Sequence, residues 1–105
     1  MFARHVSINL KPNSAPEFNR IIENEILPLL REQKGFRDEI AFVAPERSLA
    51  LGISLWDTQE DAEAYNLAGY PEVLKALSEV VDGTPTVETF EVAHSTFHKS
   101  AAKTA

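Results

Sequence analysis

Four side chains in this sequence can do chemistry on a small molecule: His5, Asn9, Trp56 and Tyr65. An imidazole titrates near neutral pH, so His5 is the candidate general base. It lies in "MFARHVSINL", where apolar and polar residues alternate, and the alternation sets it beside Ser7 and Asn9 on a mixed face. Glu39 and Glu91, from strands 2 and 4, are expected on the same mixed face as orienting partners for His5. Trp56 and Tyr65 bracket the junction "SLWDTQEDAEAYN", and their rings can stack an aromatic ligand or donate to its oxygen. The same residues also fit a bland role, His5 in an interface hydrogen-bond network and the two rings in core packing.

Other chemistry is excluded by inventory or spacing. There is no cysteine, so disulfides, thiolate metal sites, iron–sulfur clusters and a cysteine nucleophile are ruled out. His94 and His98 are four apart, but on a strand that spacing separates them by about 13 Å, too far to share one metal. Glu60, Asp61 and Glu63 open a helix, where they complement its dipole and face solvent. No phosphate-binding glycine loop, GxSxG elbow or HExxH pair is present.

The elements that position these residues follow from periodicity. Residues 2–10 alternate as strand 1, with Phe2, Val6, Ile8 and Leu10 on one face and Arg4 as the exception among them. Ser14 and Glu17 read as a capping box that opens helix 1, whose stripe of Phe18, Ile21, Ile22, Ile26, Leu29 and Leu30 runs to about Gln33 before Gly35. Pro28 should kink it. "FRDEIAFV" and "SLALGISLW" are strands 2 and 3, joined through "APER". Asp57 and Glu60 suggest a second capping box, opening a helix that Gly69 and Pro71 interrupt. After Gly83 and Pro85, "TVETFEVAHSTFH" alternates as strand 4.

The order βαββαβ is the ferredoxin-like arrangement, an α+β fold with a four-stranded antiparallel sheet and both helices on one face. The bulky set Val6, Ile8, Leu10, Ile40, Phe42, Leu51, Ile53, Leu55, Phe90 and Val92 is expected under the helices. Ala3, His5, Ser7, Asn9, Glu39, Ala41, Ala50, Gly52, Ser54 and Trp56 are expected on the open face. That face is too uncharged for full solvation, so a second copy should cover it, making an obligate homodimer. One domain over 1–98 with a flexible tail at 99–105 accounts for the 105 residues.

Charge and hydropathy limit the partners. Sixteen acidic against ten basic residues leave a net charge of −6, which repels nucleic acid. No apolar run is long enough for a membrane span or a secretory signal, so the sequence reads as cytoplasmic. An RNA-recognition motif of this topology needs stacking aromatics on strand 3, and "LALGISL" has none. A ligand-sensing regulatory domain of the same topology usually accompanies a catalytic partner in one chain.

The combination of "ILPLLREQKGF", a strand ending in Trp56, "DTQEDAEAY" and "YPEVLKALSEVV" resembles the antibiotic biosynthesis monooxygenase group of dimeric α+β barrels, over residues 2 to about 93. The resemblance implies a cofactor-independent monooxygenase acting on a hydrophobic, aromatic or quinol-like small molecule; the residues themselves make His5 and Tyr65 the expected acid–base groups and Trp56 and Asn9 the expected substrate contacts. Haem-degrading relatives place a haem-ligating histidine in helix 2, and residues 57–81 contain none, so neither haem nor a metal nor flavin is expected. The alternative is a dimer of this fold that binds a small molecule without turnover, or that is purely structural. Trp56 and Tyr65 are expected to wall a cavity completed by helix 1.

Overall fold

The computed structural model describes residues 1–96. Strand β1 (Phe2–Asn9) leads into α1 (Ala15–Ile21), a π-helical turn (Ile22–Ile26) and α2 (Leu27–Arg31). Then come β2 (Phe36–Ala44), β3 (Leu49–Trp56), α3 (Gln59–Ala68), α4 (Tyr70–Leu77) and β4 (Thr86–Glu91). The sheet order is β2-β3-β1-β4, with every neighbouring pair antiparallel. That is the ferredoxin-like topology expected from the element order. The fourth strand ends at Glu91, and His98 and the tail at 99–105 lie outside the described residues.

Residues 15–31 form one continuous helical path that changes pitch. Pro28 cannot donate to the Asn24 carbonyl, and just ahead of it the backbone widens so that the Leu27 N–H reaches the Ile22 carbonyl. Widening the turn is how this helix accommodates the proline. Both capping boxes need correction. Ser14 makes no side-chain cap; Glu17 instead takes two hydrogen bonds from Arg20, at 2.8 and 2.7 Å. At the second helix the cap is Thr58, whose Oγ1 accepts the Asp61 N–H at 3.1 Å, while Asp57 pairs with Arg37 across the β2–β3 end. Gly35 takes a left-handed φ of +79°, and a Cβ there would lie 2.1 Å from Asp61, so this helix exit admits glycine with least strain.

The register overturns the expected face assignment. Directly opposite residues share a face, and Arg4 pairs with Ser54, Val6 with Gly52 and Ile8 with Ala50. Glu39 pairs with Ser54 and Ala41 with Gly52. The helices therefore cover Arg4, Val6, Ile8, Glu39, Ala41, Ala50, Gly52, Ser54 and Trp56. Ile40, Phe42, Leu51, Ile53, Leu55 and Phe90 lie on the far side with Ala3, His5, Ser7 and Asn9. The physical reason is volume: Phe18, Tyr65, Leu30 and Leu77 are buried from the helices, and small residues opposite them make the room. Large apolar residues remain uncovered on the far face, where Ile40, Phe42 and Phe90 are 37%, 49% and 52% exposed.

Candidate active site

A cavity lies between the helices and the sheet. Val6, Ile8, Phe18, Ile22, Ile26, Leu30, Val73 and Leu77 make most of its wall, and its polar groups are Arg4, Glu39, Ser54, Tyr65 and Tyr70. The space open to the centre of a water-sized sphere is about 50 Å³, room for a few waters. A ring-sized ligand must therefore displace side chains; the half-buried Tyr70, just past Gly69 where α3 gives way to α4, borders the cavity.

Strand alternation aims Arg4 inward, among apolar neighbours, and leaves it 2% exposed. A buried cation requires compensation. Its Nη2 donates to Asn66 Oδ1 at 2.9 Å, and its guanidinium carbon lies 4.9 Å from the Tyr65 ring centre and 4.4 Å from that of Tyr70. Both distances are within cation–π range. Tyr65 comes from α3 and is held in turn by Trp56, stacked at 4.8 Å with planes 28° apart. Phe36 meets the other side of Trp56 edge-on at 5.6 Å, and the indole N–H donates to Ser54 Oγ at 2.9 Å. Gly69 permits the Tyr65 position, because a Cβ there would lie 2.7 Å from the Tyr65 ring.

Electrostatics at the polar end are set by burial. Desolvation pushes the Glu39 carboxyl up from 4.5 to about 8, against the opposing pull of Arg4. The carboxyl is thus mostly protonated at neutral pH. It occupies space that Gly52 leaves free, since a Cβ on Gly52 would sit 3.0 Å from Glu39 Oε2. Burial also raises both tyrosine hydroxyls, with Arg4 opposing, so each stays a neutral donor. At neutral pH this end of the cavity carries one fixed positive charge, several donors and a carboxylic acid.

The structure brings together only part of the set expected from sequence. Tyr65 lines the cavity. Trp56 is fully buried behind it and does not wall the cavity; it braces the ring that does. His5 lies on the far face, opposite Ile53 and Glu88, and Asn9 is exposed at the end of β1 on that same face. Glu39 and Glu91 are on the helix side, so they cannot orient His5. His94 is exposed beyond β4. Sequence reasoning missed Arg4, Tyr70 and Asn66, and placed Glu39 on the wrong face. The signal for Arg4 was present: it is the one charged residue in the inward phase of β1. Among the described residues no group of three or more His, Cys, Asp or Glu side chains could hold a metal ion.

Comparison with solved structures identifies the architecture. A protein from Bordetella bronchiseptica named as a candidate antibiotic biosynthesis monooxygenase superposes with a TM-score of 0.73 at 17% identity, covering 87% of this chain and 95% of its own. The fold is that of the antibiotic biosynthesis monooxygenases. A Streptomyces coelicolor monooxygenase in complex with nanaomycin D matches at TM-score 0.69 and 17% identity, over 85% of this chain and 84% of its own. SnoaB, a cofactor-independent oxygenase from Streptomyces nogalater, matches at TM-score 0.67 and 13% identity, over 90% and 96%. No protein-family model and no curated protein matches the sequence. Among the described residues no helix is long and apolar enough to cross a membrane.

Proposed function

We propose that the protein is a cofactor-independent monooxygenase that takes a hydrophobic, aromatic or quinol-like small molecule into the cavity between helices and sheet. The observation that carries this reading is an apolar cavity whose polar end combines a buried Arg4 with the Tyr65 and Tyr70 hydroxyls and the Glu39 carboxyl. The nanaomycin D complex and the cofactor-independent oxygenase of the same fold are consistent with it.

The chemistry such a site supports needs only substrate and O₂. The ionised fraction of Glu39 takes a proton from an acidic phenol or enol, and the carboxyl becomes the neutral form that burial favours. Arg4 and the Tyr65 hydroxyl hold the resulting anion. The electron-rich carbon of that anion reduces O₂ and bonds to it, giving a peroxide. Glu39 returns its proton to the terminal peroxide oxygen, and that oxygen leaves as water with the hydrogen of the attacked carbon, which keeps the other oxygen as a new carbonyl.

Because His5 and Asn9 lie across the sheet from this cavity, the acid–base role moves to Glu39 and Tyr65. Oxygen uptake with reduced quinols tests this. Tyr65→Phe should lower turnover about tenfold or more with little change in melting temperature, while His5→Ala leaves it unchanged. Equal uptake by wild type and Tyr65→Phe would sink the assignment. The narrow cavity favours a second reading, binding without turnover: a higher melting temperature with a quinol, without oxygen uptake, would support that instead.

We also infer a homodimer. The apolar far face, with Ile40, Phe42 and Phe90 substantially exposed, suits burial against a second copy.

A further inference from the structure

We propose that the cavity selects hydrophobic oxyanions, a flat apolar body carrying one carboxylate or acidic enol, and that Arg4 is the residue that anchors the charged oxygen. The inference rests on the cavity being the ligand site, and it adds which molecules that site takes.

Three observations carry it. First, Arg4 is a buried guanidinium in no ion pair among the described residues: Arg20–Glu17 and Arg37–Asp57 lie elsewhere, and the carboxyl whose charge it feels, that of Glu39, is held mostly as the acid by burial. One of its five N–H donors goes to the neutral Asn66 amide, and its guanidinium carbon lies over the neutral Tyr65 and Tyr70 rings. These contacts hold the cation without neutralising it. Second, the cavity it adjoins is otherwise apolar, so an oxyanion arriving there meets a charge in a low-dielectric setting, where charge-assisted hydrogen bonds are strongest. Third, the walls facing Arg4 supply no rival anion at neutral pH. β2 contributes Glu39, held mostly as the acid by burial; α3 and α4 contribute Tyr65 and Tyr70, held neutral; β3 contributes Ser54; and residues 15–31 contribute only apolar side chains.

A neutral ligand of the same shape with no acidic proton to give up would leave the Arg4 charge uncompensated, and an ammonium would be repelled. Above pH 8 the ionised Glu39 becomes an internal counterion and competes with the ligand's oxyanion. Selectivity for anions should therefore be greatest below that pH and fade above it.

The test is calorimetric titration of the full chain with two shape-matched pairs. These are 2-naphthoate against 2-naphthylmethanol, and 2-hydroxy-1,4-naphthoquinone, ionised at neutral pH, against 2-methyl-1,4-naphthoquinone. At pH 7 the anion of at least one pair should bind at least about tenfold tighter than its neutral counterpart. Whichever anion is preferred distinguishes carboxylate from enolate recognition. Arg4→Met should erase the preference and Arg4→Lys retain part of it. In wild type the preference should shrink between pH 7 and 9, and in Glu39→Gln it should not. If Arg4→Met does not fold, the wild-type pairs and the Glu39→Gln pH response decide. Equal affinities within both pairs would overturn the inference while leaving ligand binding intact. No binding by any of the four would overturn both. Preferred binding of anions with no oxygen uptake from any quinol would overturn the oxygenase reading alone.

Discussion

Replacing Glu39 with glutamine should change how stability depends on pH. The Glu39 carboxyl stands at about 8 in the folded protein against 4.5 for an ordinary one. Between these values the native state holds a proton that the unfolded chain has released, so stability must fall as pH rises through that window. The contribution of this group is intact below 4.5 and fully lost above 8. At about 1.4 kcal/mol per unit, the shift from 4.5 to about 8 amounts to a loss on the order of 5 kcal/mol. Glutamine keeps the shape and the neutral donor but cannot ionise. Urea unfolding of both proteins at pH 5, 7 and 9, at one protein concentration, reads the difference. Titrations elsewhere in the chain act on both curves alike, so the gap between them isolates Glu39. Wild type should lose several kcal/mol more than Glu39→Gln between pH 5 and 9. Parallel curves would show that the carboxyl is not buried beside the cavity, and the assignment of its protonation state would fall.

Trp56→Ala should destabilise the protein by about 3–5 kcal/mol in denaturant unfolding, because it empties the space between Phe36 and Tyr65 in a fully buried site. It should also loosen Tyr65, so quinol turnover should fall even where the variant remains folded. Phe42→Asp places a charge on the edge strand β2 of the open apolar face, where the side chain is 49% exposed. Light scattering should then report a monomer mass with circular dichroism unchanged, against a dimer for wild type; a monomeric wild type would remove the reason given for the apolar face.

Much of the architecture was legible because it depends on local pattern. Alternation marked the four strands, Gly35 and Gly83 marked helix exits and both adopt left-handed backbone, and the element order led directly to the sheet topology. What misled was assigning faces by bulk. Ile40, Phe42, Leu51 and Ile53 are larger than Ala41, Ala50, Gly52 and Ser54, yet the small set lies beneath the helices because Phe18 and Tyr65 fill that space from the other side. Which phase of β1 matches which phase of β3 is a long-range register, and alternation within each strand is equally satisfied by both. The pairing of Val6 with Gly52 resolves it, and with it the proposed site moves from His5 and Asn9 to Arg4 and Glu39. Arg4 had interrupted an otherwise apolar face, a local inconsistency of the kind that marks functional positions. The second helix cap differs for a smaller reason: Thr58, one residue along, takes the role expected of Asp57, whose carboxylate pairs with Arg37 instead.

On the proposed reading, ligands enter between the helices and the sheet and engage Arg4. Two-dimensional NMR of the isotope-labelled protein, titrated with 2-naphthoate at pH 7, tests it most directly. Shifts are expected at the Arg4 side-chain Nε–H, at the Gly52 and Ser54 amides, and along α3 and α4 at Tyr65 and Tyr70, with His5 unmoved. Shifts confined to His5, Phe42, Ile53 and Phe90 would contradict it, because they would put the binding site on the opposite face of the sheet.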